Sequence, residues 1–361
     1  MADAVPLDAD AIDDVPHPRQ QQRLAGQAHA ETELLDAYRS GRIHHAWILS
    51  GTRGIGKATL AFRMARFVLA HPDPKAAAVA GARDLSVAPD VPAARKVAAG
   101  SHPDLLHLRR PYDDKRKRFK TELPVDEIRR TASLFGTTAG EGGWRICIVD
   151  AADDMNANAA NALLKVLEEP PPRALFLVVS HNPGRLLPTI RSRCRKLALD
   201  PLAPETIAGE LQALGLAGGL DERTLHRVAV LGSGSLRRSV LLLRADGVAL
   251  WDAFEDIAHG LPKMDRAAIH ALADRVAARD ADDVFATFKD IVRDWLTARV
   301  RDGAAAGASA GDLIAWSEAW ETINQANRTA AVLNLDRKQL VLDTFRTLAE
   351  AARNSLSPQS T

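Results

Sequence analysis

Residues 46–70, AWILSGTRGIGKATLAFRMARFVLA, decide the fold. AWILSG (46–51) is a short apolar run ending in glycine, the pattern of a buried strand, and ATLAFRMARFVLA (58–70) is an amphipathic helix. Leu60, Met64, Phe67 and Val68 fall on one side of that helix, with Arg63 and Arg66 off it. Strand, glycine-rich turn and helix form the opening unit of an α/β domain. In the turn, Gly51, Gly56 and Lys57 fit the G-x-x-x-x-G-K core of a phosphate-binding loop, with Thr52, Arg53, Gly54 and Ile55 between them. Glycines let backbone N–H groups turn inward around phosphate, the helix N-terminus adds partial positive charge, and Lys57 reaches the terminal phosphates. A working ATPase places Ser or Thr after the lysine to bind Mg²⁺. Here that residue is Ala58, and Thr59 comes one position late, about 100° around the helix. Two readings stand: a loop that binds ATP or ADP weakly, and a loop kept only as scaffold.

Outward from this unit, further strands and helices alternate. DLLHLRR (104–110), WRICIVDA (144–151) and ALFLVVSHN (174–182) read as strands, and VDEIRRTASLF (125–135) and NANAANALLKVLEE (156–169) as helices, the latter stopped by Pro170 to Pro172. Strands without clean alternation between flanking helices predict a parallel sheet covered on both faces. Asp150 ends the second of these strands, where Walker-type ATPases hold Mg²⁺ through water. The next residue, where such enzymes carry the Glu that polarises the attacking water, is Ala151. Asp153 and Asp154 read as capping charges for the following helix. Segment 71–103 shows no clear period, and PYDDKRKRFKTE (111–122) reads as a solvated charged hairpin or loop.

After about Pro201 the strand signals stop. PETIAGELQALG, DERTLHRVAVLG and SLRRSVLLLRA read as three helices, and longer helical patterns follow Asp246. GAAAGASAG (303–311) reads as a connector, with Leu313 to Ala351 helical beyond it; Trp295, Trp316 and Trp320 lie on helical stripes. The expected divisions are a mobile arm at 1–18, the α/β domain at 19–200, the three-helix domain at 201–246, a helical domain at 247–351 and a tail at 352–361.

Composition narrows the function. With 47 Lys+Arg against 46 Asp+Glu, the chain is no autonomous gripper of long DNA. No stretch approaches the ~18 uncharged apolar residues of a membrane helix, and the acidic start MADAVPLDADAIDD is no targeting signal, so a cytoplasmic location is expected. Two cysteines, Cys147 and Cys194, cannot make a four-cysteine zinc site.

HHAWILSGTRGIGKATLA (44–61), SHPDLLHL (101–108), VDEIRR (125–130), VDAADDMNANAANALLKVLEEPP (149–171) and LPTIRSRCRKL (187–197) together resemble the delta-prime family of bacterial DNA polymerase III clamp-loader subunits, within the AAA+ superfamily. The resemblance implies an AAA+ P-loop domain, a helical lid and a C-terminal helical collar. It implies that Ser192-Arg193-Cys194 supplies an arginine in trans to a neighbour's ATP, which would stabilise phosphoryl charge. It also makes Gly234-Ser235-Leu236-Arg237 a second sensor, whose arginine contacts phosphate or survives as a remnant, and places a first sensor within Ser180 to Asn182. Implied partners are the gamma/tau and delta subunits, the beta sliding clamp, and primed DNA chiefly through the assembled complex. Many relatives carry a four-cysteine zinc module at the place of residues 80–103, which has no cysteine here, so no zinc is expected. Competing readings are an ATP-hydrolysing gamma/tau-like subunit, which needs a hydroxyl after Lys57 and a Glu after Asp150, and a stand-alone AAA+ helicase loader, which needs a basic surface.

Overall fold

The computed structural model describes residues 8–136, 143–279, 281–333 and 335–356. Residues 1–7 of the expected arm and 357–361 of the expected tail therefore lie outside the described residues. Two compact units divide at Arg237, within a helix: Met1–Arg237 and Arg238–Thr361.

In chain order the first unit runs α1 (Ala28–Arg39), β1 (Ala46–Ser50), α2 (Lys57–Ala70), α3 (Ala77–Ala80), α4 (Pro92–Ala99), β2 (Leu105–Leu108), β3 (Tyr112–Asp113), β4 (Arg118–Phe119), α5 (Val125–Gly136), β5 (Arg145–Val149), α6 (Ala157–Glu168), β6 (Ala174–Ser180), α7 (Pro188–Ser192), β7 (Arg195–Ala198), α8 (Pro204–Ala213), α9 (Glu222–Leu231) and the start of α10 (Leu236–Arg244). Five strands form one parallel sheet in the order β2-β5-β6-β1-β7, with β1 between β6 and β7 and paired to β6 in register Trp47↔Leu177 and Leu49↔Val179. The strands lack alternation because both faces are covered. Trp47 and Leu49 join Leu34, Tyr38, Leu60 and Phe67 in one core, while Ile48 joins Cys147, Val149, Phe176 and Leu163 in the other. Residues 111–122 carry the small β3–β4 hairpin, as their charge pattern suggested.

Two local expectations change. Segment 71–103 contains α3 and α4, and Val79, Leu85 and Val97 are fully buried, so apolar packing holds it together. Arg63 and Arg66 are not on a solvated face: they are 3% and 0% exposed. Arg63 grips Glu31 of α1, its Nε and Nη2 lying 2.8 and 2.5 Å from Glu31 Oε1. Arg66 donates to the carbonyls of Arg19 and Gln21, at 2.9 and 3.2 Å, and burial beside Arg63 pushes its guanidinium down to about 10.

The second unit continues with the rest of α10, then α11 (Gly247–His259), α12 (Arg266–Val276), α13 (Asp282–Ala305), α14 (Ala310–Leu333) and α15 (Arg337–Leu356). The expected connector at 303–311 is shorter than its composition suggested, since α13 runs to Ala305 and α14 begins at Ala310. The core centres on Phe254, whose ring lies 5.5 Å from Phe345 and 5.8 Å from Trp295, with Trp316 5.4 Å from Trp295. Trp320 stands apart from these, 42% exposed. Among the described residues no helix is long and apolar enough to cross a membrane.

Candidate nucleotide-type site

β1 delivers the chain to the glycine loop and α2 carries it away. Gly56 caps α2 at φ 102°, a left-handed conformation that glycine adopts without strain. Gly54 is needed for a different reason: a Cβ there would strike Ser235 Oγ and Arg237 Cβ. Ser235 Oγ donates to Arg53 O at 2.7 Å, and the Arg237 amide lies 3.4 Å from Gly54 O, so residues 235–237 seat directly on the loop.

Lys57 is buried, and its Nζ donates to Gly51 O and Thr52 O, both at 2.6 Å. The loop thus supplies its own acceptors to the lysine. Burial lowers the ammonium to about 8, against the opposing pull of Asp150 and Asp153. These charges gather around the loop as the motif predicts, but Ala58 offers α2 no hydroxyl and Ala151 offers Asp150 no neighbouring base.

Asp153 is no helix cap. It accepts from Ser180 Oγ at 2.9 Å and from the His181 and Asn182 amides at 2.6 and 3.0 Å, while Asn156 caps α6 through the Ala159 amide at 3.0 Å. The end of β6, where the first sensor was expected, is therefore fixed to the turn after β5. Burial, then Lys57 and Arg53, push the His181 imidazole down to about 4, so it is neutral at physiological pH. Asp153→Ala is expected to leave three donors short of an acceptor and cost about 2–4 kcal/mol of stability, with Asp153→Asn costing less than half of that. Urea unfolding of the two variants measures the difference.

Sequence reasoning missed a second ring of charge. Asp150 Oδ2 lies 3.7 Å from His107 Nε2, and Asp154 Oδ2 lies 3.1 Å from Arg110 Nε. The arm, expected to be mobile, comes down here. Asp10 pairs with Arg53 and lies 3.4 Å from Arg110, and the Asp10 carbonyl accepts from Arg237 Nη1. Asp8 lies 3.2 Å from His17 Nε2 and 3.5 Å from Arg109. Burial alone would raise the Asp8 carboxyl, but the His17 hydrogen bond with His107 and Arg109 outweighs it and holds the group below its ordinary value. One ligand atom each of Asp8, His107 and Asp150 lies within 4.8 Å of the others, a donor set suited to a divalent cation only while the arm is docked. The signal was present in composition, as acid at 8–14 and arginine at 53, 109 and 110, without anything to say that the two would meet.

Arg193 is away from these residues. It caps the C-terminus of α7, its Nη2 lying 2.9 Å from Glu168 Oε1 and its Nη1 donating to Thr189 O at 3.1 Å.

A backbone cradle, a lysine and an Asp make a site that can hold a phosphate chain. Lacking the metal hydroxyl and the base, it has poor means to cleave one. The family model described as DNA polymerase III, delta subunit, matches residues 26–203. The DNA polymerase III subunit delta' of Pseudomonas aeruginosa is 40% identical over 42% of this chain and 41% of its own length. That of Escherichia coli is 29% identical over 63% of this chain and 62% of its own, and Escherichia coli subunit tau is 30% identical over 61% and 32%. The chain thus spans less than two thirds of the length of each of these relatives.

Proposed function

We propose, because the family model described as DNA polymerase III, delta subunit, matches residues 26–203, that the chain is a delta-prime-type clamp-loader subunit acting as a fixed element in the ring. The observation that carries this is that Ala58 follows Lys57 and Ala151 follows Asp150 in a site otherwise built for phosphate. A motor subunit needs the hydroxyl and the base; a subunit that completes its neighbour's site needs neither. In this reading the three helices after Pro201 form the lid, the helices beyond Asp246 form the collar, and the partners are gamma/tau, delta and, through the assembly, the sliding clamp and primed DNA. Arg193 completes the neighbour's ATP site. The work is done in the cytoplasm, with DNA grip left to the assembled ring, in keeping with a net charge of +1.

The test is reconstitution with gamma/tau and delta, followed by clamp loading on primed DNA with and without this chain. Loading that requires the chain, with no steady-state ATP turnover by the chain alone, is the expected pair of results. Turnover by the isolated chain at the rate of a working AAA+ ATPase would instead establish the gamma/tau-like reading.

A further inference from the structure

The N-terminal arm engages arginines that border the phosphate-binding loop, Arg53 and Arg237, and we propose that it is a built-in competitor for that site. The inference rests on the P-loop reading above and adds a regulator to it. Four features of the arm converge. Asp10 gives its carboxylate to Arg53 in the loop itself and to Arg110, and its carbonyl to Arg237, the arginine that seats on Gly54. Asp8 gives its carboxylate to Arg109 and His17 and lies beside Asp150. The arm is shaped to do this: the Ala11 amide donates to Asp8 O at 3.1 Å, closing a turn that carries both Asp8 and Asp10. It is also tethered, since His17 is 5% exposed with its ring 6.0 Å from Phe62, and buried Arg66 holds the carbonyls of Arg19 and Gln21.

The chemistry is substitution of one anion for another. A polyphosphate approaching this loop would draw on Arg53 and Arg237, and here an aspartate carboxylate and a carbonyl have engaged them first. Asp8 beside Asp150 also adds negative charge at the end of the strand, and that charge disfavours the approach of an anionic phosphate chain while the arm is docked. An intramolecular occupant weakens the apparent affinity by the fraction of molecules in which it is undocked; an arm docked in nine molecules of ten weakens it about tenfold. The ligand class is a nucleoside di- or triphosphate, and the arm sets how much of it the chain carries.

The experiment titrates a fluorescent ADP analogue into the full-length chain, the Asp8→Ala/Asp10→Ala double variant and the single Asp10→Lys variant, each checked first for an unchanged melting transition. Affinity about tenfold tighter in both variants, abolished when Lys57→Ala is added, is the expected result. In the unaltered chain, saturating ADP should increase hydrogen exchange at amides 8–17 severalfold. Equal affinity in all three proteins, or no binding in any, overturns the arm's role, as does exchange at 8–17 that ADP leaves unchanged. None of these outcomes touches clamp loading in the reconstituted complex, so failure of the arm and failure of the subunit reading are separately visible.

Discussion

Replacing Arg193 by alanine is expected to collapse ATP turnover at one site of the reconstituted clamp loader while the complex still assembles. In the isolated chain the Arg193 guanidinium donates to the Thr189 carbonyl of α7 and pairs with the half-exposed Glu168 carboxylate, and its side chain is 37% exposed. An ion pair that open to solvent contributes about 0–1 kcal/mol, so the fold should not notice its loss. The same side chain in a neighbour's site would be the guanidinium that neutralises charge on the transferring phosphoryl group, worth about 10³-fold or more in turnover. Arg193→Lys should not restore it, because an ammonium keeps the charge and loses the planar fork. Steady-state ATPase with primed DNA and clamp, read beside size-exclusion of the complex, separates the two effects. Unchanged turnover with normal assembly would withdraw the trans role from this residue.

The second large effect concerns stability. Glu31→Ala is expected to cost about 3–5 kcal/mol, because it strips the partner from Arg63, which is 3% exposed, and the acceptor from the Leu85 amide at 3.1 Å. For a unit of this size that corresponds to a melting midpoint about 10 °C lower. Replacing both partners, Glu31→Met with Arg63→Met, should recover more than half of the loss, since neither buried charge is then left unpaired. A thermal melt of Glu31→Met, Arg63→Met and their double variant, beside the unaltered chain, completes the double-mutant cycle. If the single and double variants lose equally, Arg63 is held by the Gln22 carbonyl and Ser86 hydroxyl rather than by Glu31.

These arginines show where sequence reading stops. Periodicity placed Arg63 and Arg66 off the apolar side of α2 because charge is normally solvated. Their partners at 19–22 and 31 lie some 30 to 47 residues earlier in the chain, and no local pattern encodes that meeting. The same limit applies to Asp153, whose place before a helix suggested a cap, although its acceptors serve amides 28 and 29 residues away. It applies again to the arm, where acidity read as mobility became docking once arginines 53, 109 and 110 were brought opposite it. What was legible were the continuous apolar strands β1, β5 and β6, the glycine loop and the gaps at Ala58 and Ala151, because burial and backbone chemistry write those directly into residue type. The strand β7 was not: RKLA carries one buried residue, Leu197, and an outer strand needs no apolar run.

That outer position has a consequence for solubility. A sheet's free rims are templates on which another chain can add a strand, and the two rims here are unlike. At β7 an incoming strand must pass Arg195 and Lys196, both exposed, and a second copy would bring the same charges with it. At β2 the sequence is LLHL, with no fixed charge to turn a strand away. Aggregation of partly unfolded chains should therefore begin at β2, and a lysine placed at its rim should suppress it where one added beside β7 would change little.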